Sequence, residues 1–296
     1  MISRYTIFCK VMELKSFTKV AGELGYSQSA VSQSVKALEE ELDIVLLNRS
    51  KDGLSLTRDG EIFYPYIHRI SMAEKDLSRK QMEVKGLFTG TIRIGTFSSV
   101  SRNLLPPLMK RFTEKHPHVE FVLHQGNYTD IAKWIRDGYV DFGFVTVEAA
   151  RDMEQIALYQ EDIMAVLPEN HPLTRKTCVT MADLAEEPFI LLDEGDYSAP
   201  MRWFHKEKLA PNVIYEIFDD YSIISMVHQG LGVSALFKLM LNGFSDGVAV
   251  RPIKEKPTRT VAIAWHRLDA MPYTARTFLK YVLGQRESFF KQYTKV

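Results

Sequence analysis

Residues 18–42 read TKVAGELGYSQSAVSQSVKALEEEL, and the spacing of their apolar side chains decides the N-terminal fold. Thr18 is a predicted N-cap for a short helix with Ala21 and Leu24 on its inner face, because a threonine oxygen can accept a hydrogen bond from a free backbone N–H. Gly25 suits the end of that helix, since glycine adopts the left-handed backbone at little steric cost. The chain is therefore expected to turn tightly at Gly25 and to enter another helix.

Ser27 caps this next predicted helix, in which Val31, Val35, Leu38 and Leu42 recur on one face. Two helices joined by so tight a turn indicate a helix-turn-helix, preceded by a predicted helix over residues 3–14. The opposite face of the later helix carries short polar side chains and one cation, which are groups that contact base edges and phosphates in the major groove of DNA. A solvated helix face could have the same composition, but the spacing of the helix pair favours DNA. The side chains are Gln28, Ser29, Ser32, Gln33 and Lys36.

A hairpin is predicted directly after this helix. Two short apolar runs, residues 45–49 and 54–57, flank an Asp-Gly dipeptide that is typical of a tight β-turn. Such a hairpin is a wing, and Arg49, Lys51 and Arg58 suit contacts to phosphates or to the minor groove. The chain of 296 residues has no net charge. The DNA hypothesis therefore depends on where the charges lie, since overall electrostatics do not supply it.

The first 60 residues resemble the LysR-type transcriptional regulators, which implies a DNA-binding role that also includes Thr18 and Ser27. Val20, Asp43 and Leu47 depart from the alanine, glycine and phenylalanine that are usual in the family. Gln33 replaces an arginine of many members, which removes a cationic contact. The residues that carry the resemblance are Phe8 and Val11, Ser16-Phe17-Thr18, Ala21 and Leu24, Ser27-Gln28-Ser29-Ala30-Val31-Ser32, Leu38-Glu39 and Leu42, Leu46-Leu47-Asn48-Arg49, and Leu56-Thr57 with Gly60.

A long helix is predicted from a cap at Thr57 to about Lys85, with Pro65 inside it. Apolar residues repeat along this helix every seven positions, which is the pattern of a coiled-coil seam. A helix that packs only on its own domain is the alternative. The similar segment of LysR-type regulators pairs two subunits, and one winged helix covers only half a DNA site. The predicted dimerisation residues are Phe63, Ile70, Leu77 and Val84.

Strands and helices alternate through the remaining residues, which predicts an open, mostly parallel α/β sheet with two lobes. The segment resembles the two-lobed, periplasmic-binding-protein-like regulatory domain of the same family. The predicted fold class is thus α/β, with an N-terminal winged helix-turn-helix, a long linker helix and this regulatory domain. The predicted domains are 1–58 (DNA binding), 59–88 (linker) and 89–296 (effector binding), with lobe I at 89–160 and 266–296 and lobe II at 161–265. The predicted strands are 91–96, 119–124, 141–145, 163–167, 189–192, 213–218, 232–237 and 261–265, and the predicted helices are 104–115, 128–138, 181–185, 201–209, 223–229 and 273–285.

A small effector is expected in the cleft between the lobes, where the carboxyl ends of strands meet helix starts. The serines of the loop after the first strand precede a helix expected to open at Asn103, which suits a carboxylate or another small anion. An acidic ligand would be disfavoured if Asp219 or Asp220 lined the pocket. Each serine or asparagine among the candidates has an alternative role as a helix cap. The candidates are Ser98, Ser99, Ser101, Asn127, Thr129, Thr146, Tyr197, Ser198 and Tyr221.

Catalytic and metal-binding patterns are absent from the sequence: it has no GxSxG, HExxH, Walker or GxGxxG motif, and Cys9 and Cys178 stand alone. We therefore expect no cofactor and no enzyme. No leader and no apolar run of membrane-spanning length are recognisable, so a cytoplasmic protein is expected. The expected partners are double-stranded promoter DNA, a small-molecule effector, further copies of the chain as a homodimer or homotetramer, and RNA polymerase. The alternatives are a two-lobed α/β transferase or dehydratase, or a ligand-binding protein with an N-terminal interaction segment.

Overall fold

The computed structural model describes residues 2–50, 53–84, 89–241, 243, 246–286 and 290. The chain divides into two compact units, of which one comprises residues 1–89 with 137–139 and the other residues 90–136 with 140–296. Each unit contains an apolar core of its own.

Three helices open the chain, and a serine caps each of them. The hydroxyl oxygens of Ser3, Ser16 and Ser27 each accept a hydrogen bond from the backbone N–H three residues further on. The prediction that Thr18 caps the second helix is wrong. The helix begins at Phe17 with Ser16 as its cap, and Thr18 lies exposed in its first turn. The three helices are α1 (Arg4–Leu14), α2 (Phe17–Leu24) and α3 (Gln28–Leu42).

The core of this helical unit confirms the predicted helix-turn-helix. Gly25 ends α2 in the left-handed conformation, with φ of 68°. Val31, Val35 and Leu38 on α3 are fully buried and pack with Phe8 of α1. Each such side chain contributes about 1.5–3 kcal/mol to folding when it is fully buried. The apolar stripe read from the sequence is therefore the face that holds the three helices together.

The predicted hairpin follows α3 as β1 (Leu47–Ser50) and β2 (Gly53–Leu56), which pair antiparallel. The carboxylate of Glu39 accepts hydrogen bonds from the backbone N–H groups of Leu46 and Leu47, at 2.8 and 3.1 Å. This contact ties the last turns of α3 to the start of the hairpin. One member of the acidic run that ends α3 is thus part of the fold and does not face outward.

A single helix, α4 (Arg58–Val84), continues from the hairpin. The hydroxyl of Thr57 accepts a hydrogen bond from the N–H of Gly60 at 2.8 Å, which confirms the predicted cap. A Cβ atom at Gly60 would overlap the carbonyl oxygen of Leu46, so only glycine lets this first turn pack so closely. The close approach explains the glycine in the Leu56-Thr57…Gly60 pattern.

The apolar seam of α4 differs at its start from the one predicted. Phe63 is only partly buried against the core of its own unit, so part of this predicted dimerisation residue is already covered within the subunit. Ile70 and Leu77 are 42% and 70% exposed, and the side chain of Val84 lies outside the described part of the chain. The exposed apolar side chains of α4, which we call the linker stripe, are Ile62, Tyr66, Ile70 and Leu77.

The first lobe of the second unit is built on parallel strands. β3 lies between β4 and β5 and runs parallel to both. α5 begins at Ser98, directly after β3, so the expected loop before a helix at Asn103 is instead the first turns of a helix. The elements of this lobe up to the crossing strand are β3 (Gly90–Thr96), α5 (Ser98–Asn103), α6 (Leu105–Thr113), β4 (Val119–Gln125), α7 (Tyr128–Arg136), β5 (Phe142–Thr146) and β6 (Glu154–Pro168).

The second lobe contains another mostly parallel set of strands. β7 runs parallel to its neighbours β8 and β9, whereas β6 pairs antiparallel with β9 and β10. Two of its elements, a short helix at Lys238–Leu241 and a strand at Val248–Pro252, were not predicted, because neither has a clear apolar periodicity. The elements are α8 (Met181–Ala185), β7 (Pro188–Leu192), α9 (Ala199–Lys206), β8 (Asn212–Ile217), α10 (Asp220–His228), β9 (Val233–Phe237), α11 (Lys238–Leu241) and β10 (Val248–Pro252).

The chain returns to the first lobe through β11 (Thr258–Trp265) and α12 (Tyr273–Gly284). β11 pairs with β5 and with residues 154–162 of β6, all of which belong to the first lobe. The predicted boundary after residue 265 therefore lies several residues too late. β6 itself crosses between the lobes, since its residues 163–166 pair with β9 of the second lobe. The two crossing strands bring their charged side chains to the junction of the lobes.

Candidate functional site

The outer face of α3 presents the polar side chains that the sequence placed there. Gln28, Ser29, Gln33 and Lys36 are exposed, and Ser32 is half-buried. They lie opposite the buried stripe of the helix and toward its N-terminal half. A rigid helix with exposed amides and hydroxyls at its N-terminal end has the geometry that other helix-turn-helix proteins use to reach base edges.

Local contacts already engage some of these groups. The hydroxyl of Ser27 accepts the capping hydrogen bond from the N–H of Ala30 at 3.2 Å and lies 2.9 Å from the hydroxyl of Ser29. The ammonium of Lys36 pairs with Glu40 at 3.2 Å on the solvent side of the helix. Ser27 therefore has a structural task as a cap whether or not it also contacts DNA.

The remaining DNA-binding candidates lie around α3. Arg49 lies in β1, Lys51 falls outside the described residues, and Arg58 is exposed at the start of α4. Glu41 faces its own unit, where it pairs with Arg4 at 3.0 Å and accepts a hydrogen bond from the hydroxyl of Tyr5. That internal pairing limits how strongly the acidic end of α3 opposes a polyanion.

In the second unit, a buried arginine occupies the junction of the lobes. The guanidinium of Arg259 on β11 donates to one carboxylate oxygen of Glu161 from Nε at 2.9 Å and from Nη2 at 2.7 Å. Nη2 also donates to the hydroxyl of Ser99 at 2.7 Å, and Nη1 donates to the hydroxyl of Tyr128. The guanidinium carbon lies 3.3 Å from the ring centre of Phe237, where cation–π attraction stabilises it.

Two further carboxylates surround this arginine from the second lobe. Glu194 is 4% exposed, and one of its oxygens lies 3.8 Å from Nη1 of Arg259. Burial raises the pKa of Glu194 to about 7, although Arg259 and Tyr128 favour its charged form. Asp220 is 3% exposed, and burial raises its pKa as well, against the influence of Ser98 and Arg259. The junction therefore holds more carboxylates than cations.

These groups line a small cavity, which we call the inner chamber. Its free volume is about 30 Å³, enough for one or two water molecules. Three predicted effector residues, Ser98, Ser99 and Asn127, line it together with Arg259. Asn127 also caps α7, since its side-chain oxygen accepts a hydrogen bond from the N–H of Asp130 at 2.9 Å.

A larger cavity, which we call the outer chamber, has a volume of about 750 Å³. Glu194 and Leu192 line both chambers. The predicted residues Tyr197 and Ser198 line the outer chamber, and Ser198 also caps α9. An ion pair between Glu148 of the first lobe and Arg202 of the second, at 2.6 Å, joins the lobes there.

The other predicted effector residues are not among those that line the two chambers. Ser101 donates to the carbonyl oxygen of Phe97 within its own helix, and Thr146 is buried at the end of β5. The hydroxyl of Thr129 accepts a hydrogen bond from the N–H of Asp196 at 2.9 Å, so it joins the lobes. The ring of Tyr221 lies 4.8 Å from the guanidinium of Arg102.

Sequence reasoning missed the charged centre of the junction. Arg259, Glu161 and Glu194 lie far apart in the chain, and no local pattern connects them. One signal was available, because Arg259 is the second residue of the apolar strand Thr258–Trp265. A charge within a strand buried on both faces is expected to have a buried partner.

Neither a membrane-spanning helix nor a metal site is present among the residues that the structure describes. No helix there combines the length and apolarity that crossing a lipid bilayer requires. Within those residues, no group of three or more histidine, cysteine or acidic side chains is arranged to hold a metal ion.

Two family models match the chain. Residues 2–61 match the bacterial regulatory helix-turn-helix protein of the lysR family, and residues 85–287 match the LysR substrate binding domain. The HTH-type transcriptional regulator YvbU of Bacillus subtilis is 30% identical over 282 residues, which cover 94% of this chain and 96% of YvbU.

Solved structures agree with these matches. HinK, a LysR family transcriptional regulator from Pseudomonas aeruginosa, is 25% identical with a TM-score of 0.59, and the match covers 99% of this chain and 98% of HinK. Full-length CbnR in complex with its target DNA is 19% identical with a TM-score of 0.67, covering 95% and 98% of the two chains, and shows a shared fold.

Proposed function

Because this chain belongs to the LysR family of DNA-binding transcriptional regulators, we propose that α3 enters the major groove of promoter DNA and reads its bases. The observation that carries the proposal is the exposed polar face of α3, set on a buried apolar stripe that holds it rigid. The amides of Gln28 and Gln33 suit adenine, and the hydroxyls of Ser29 and Ser32 suit either bases or phosphates. LysR-type proteins are regulators and not enzymes, and we assign no catalytic role to this chain.

The cations around α3 are proposed to contact the sugar-phosphate backbone. Three of these cations follow α3 along the chain: Arg49, Lys51 and Arg58. The proposed contact surface is completed by Lys36 on α3 and Thr18 on α2. Such contacts position a protein on the duplex without reading sequence. Since Gln33 supplies no charge on this face, we expect affinity to depend on several subunits that bind together.

The linker stripe supports the proposal of a homodimer or a homotetramer. Tyr66, Ile70 and Leu77 are exposed on one side of α4, spaced four and seven residues apart. An exposed apolar seam on a long helix is stabilised when an equivalent helix covers it. Replacing both Ile70 and Leu77 with glutamate is expected to yield monomers in sedimentation and to weaken operator binding. Unchanged mass would contradict the assignment.

The regulatory unit is proposed to bind a small effector between its lobes. Glu148–Arg202 and Thr129–Asp196 are contacts that join the lobes and can change when the cleft is filled. A ligand that favours one lobe arrangement shifts the population toward it and alters how paired subunits bend DNA or space their half-sites. RNA polymerase is a further proposed partner, at the promoter.

A DNA-binding experiment tests the reading helix. Purified wild-type protein is titrated onto the promoter region beside its own gene and onto unrelated DNA at several salt concentrations. Gln33→Ala and Gln28→Ala are expected to lose about 1–3 kcal/mol of discrimination between sites. Arg58→Ala is expected to weaken binding to all sequences and to reduce the salt slope by about one.

The matched control is Lys254→Ala, which removes an exposed cation from the regulatory unit. It should leave both the discrimination and the salt slope unchanged. If wild-type protein bound promoter and unrelated DNA equally at moderate salt, the proposed reading role would be overturned.

A further inference from the structure

Most guanidinium donors of Arg259 in the inner chamber are already used by the protein itself. Arg259 directs Nε and Nη2 to Glu161, a second Nη2 hydrogen to Ser99 and one Nη1 hydrogen to Tyr128. One hydrogen of Nη1 remains, and it faces Glu194. Nη1 lies 3.8 Å from Oε1 of Glu194, which is beyond hydrogen-bond distance. An anionic ligand would therefore find few donors on this guanidinium unless it displaced these contacts.

The acceptors of the chamber are not all used. One carboxylate oxygen of Glu194 accepts a hydrogen bond from the N–H of Ala199 at 3.0 Å. The other is buried and accepts no hydrogen bond of ordinary geometry, with Arg259 and Tyr128 as its neighbours. Asp220 lines the same chamber from the start of α10. A buried carboxylate oxygen with no hydrogen bond of ordinary geometry is costly, so the chamber is complementary to a molecule that brings donors.

Charge leads to the same conclusion. The groups that face Glu194 are Arg259 from β11, Tyr128 from α7 and Asp220 from α10, and Arg259 is already paired with Glu161 from β6. One guanidinium thus stands against three buried carboxylates. Without a further cation, the chamber reduces its excess negative charge by holding a proton, and the raised pKa of Glu194 reflects this.

We propose that the effector carries a protonated amine, which enters the inner chamber and donates hydrogen bonds to Glu194 and Asp220. This inference rests on the proposed effector site and replaces the expectation of a carboxylate as the group recognised there. The inner chamber holds about 30 Å³, which suits an ammonium-sized group. Since Leu192 and Glu194 also line the outer chamber of about 750 Å³, the rest of the molecule lies there.

Matched pairs of amines and carboxylates test the ligand class on the full-length protein. Methylamine with acetate, ethanolamine with glycolate, and putrescine with succinate are compared at equal ionic strength by thermal shift and titration calorimetry. The amines are expected to raise the melting temperature, and their carboxylate partners are not. Stabilisation by the carboxylates alone, or by neither class, would overturn the proposal.

The pH dependence provides a second readout. The amine takes the place of a proton on Glu194, so its affinity should rise about tenfold between pH 6 and pH 8 if that carboxyl titrates near 7. Glu194→Gln keeps the shape of the side chain and removes its charge. This variant should bind amines at least tenfold more weakly and without the pH dependence. Equal binding by wild type and Glu194→Gln would overturn the proposal.

Glu186→Gln is the matched control, because Glu186 is an exposed glutamate of the same lobe. It should bind amines as the wild type does, and far-ultraviolet circular dichroism should show all variants folded. Asp220→Asn is a second variant that should also weaken amine binding. DNA binding without ligand is measured in parallel. Loss of operator recognition in wild-type protein would contradict the proposed function, whereas loss of amine selectivity would contradict only this inference.

Discussion

The outer face of α3 and the inner chamber are both polar, but they are built in different ways. The α3 face takes all its side chains from one helix and leaves them in water. The chamber, together with the ion pair of Arg259, draws Ser99, Tyr128, Glu161, Glu194 and Arg259 from five separate segments and removes them from water. Local periodicity therefore reveals the first site, and only the arrangement of the strands reveals the second.

The difference has an energetic consequence. An exposed ion pair such as Lys36–Glu40 contributes a few tenths of a kcal/mol, because water solvates both charges well in the absence of the pair. A buried pair such as Arg259–Glu161 has lost that solvation, so removal of one partner leaves a charge with no compensation. Substitutions in the chamber should thus affect stability, and substitutions on the α3 face should affect recognition.

The largest effect is expected for Arg259→Ala. It leaves Glu161 buried beside Glu194 without their cation, which should lower the free energy of unfolding by about 3–5 kcal/mol. Urea denaturation followed by tryptophan fluorescence measures this change. Arg267→Ala removes an exposed arginine and should leave the midpoint unchanged. A loss below about 1 kcal/mol for Arg259→Ala would show that the chamber reorganises easily.

The next largest effect is a change in the free energy of unfolding with pH. Burial raises the pKa of Glu194 to about 7 from an ordinary 4.5. The folded protein then binds more protons than the unfolded chain between these values, so this group contributes stability at low pH that is lost as the pH rises through 7. The loss is about 3 kcal/mol at full ionisation. The free energy of unfolding of the wild type and of Glu194→Gln at pH 5 and pH 8 measures this loss. As the pH rises, the variant should become more stable relative to the wild type. Parallel pH profiles would contradict the raised pKa.

Smaller effects are expected for the helix caps. Ser16→Ala and Ser27→Ala each remove one capping hydrogen bond and should each cost about 1 kcal/mol in the N-terminal unit. The two variants form a matched pair, because only Ser27 borders the proposed reading face. Ser27→Ala should therefore lose more operator affinity than Ser16→Ala at equal stability. Equal losses would limit Ser27 to its role as a cap.

The smallest change in stability is expected at Lys36. Lys36→Gln and Glu40→Gln both break the same exposed pair and should each cost about 0.3–0.5 kcal/mol. Their DNA affinities should differ, since only Lys36→Gln removes a cation from the outer face of α3. Filter binding at two salt concentrations compares them. If Glu40→Gln lost as much affinity, the pair itself and not the cation would matter.

Most of the fold could be predicted from the sequence because its signals are local. The serine cap and apolar stripe of α3, the left-handed Gly25 and the turn of the hairpin each act within a few residues. The errors occurred where two local signals competed or where none existed. Ser16 and Thr18 are both good caps, and the choice between them depends on how α2 packs. β10 has no distinctive alternation and is recognised only through its pairing with β6.

The sequence by itself determined the winged helix-turn-helix, the long linker helix, the two-lobed α/β plan and the side chains on the outer face of α3. Periodicity, capping and turn chemistry are properties of neighbouring residues, so they can be read without coordinates. Tertiary structure decided that Phe63 packs inward, that Ser99 serves Arg259 and that β11 belongs to the first lobe. It also decided the charge of the cleft. Burial and long-range pairing set the charge states of Arg259 and Glu194. Neither can be read from residues that are adjacent along the chain.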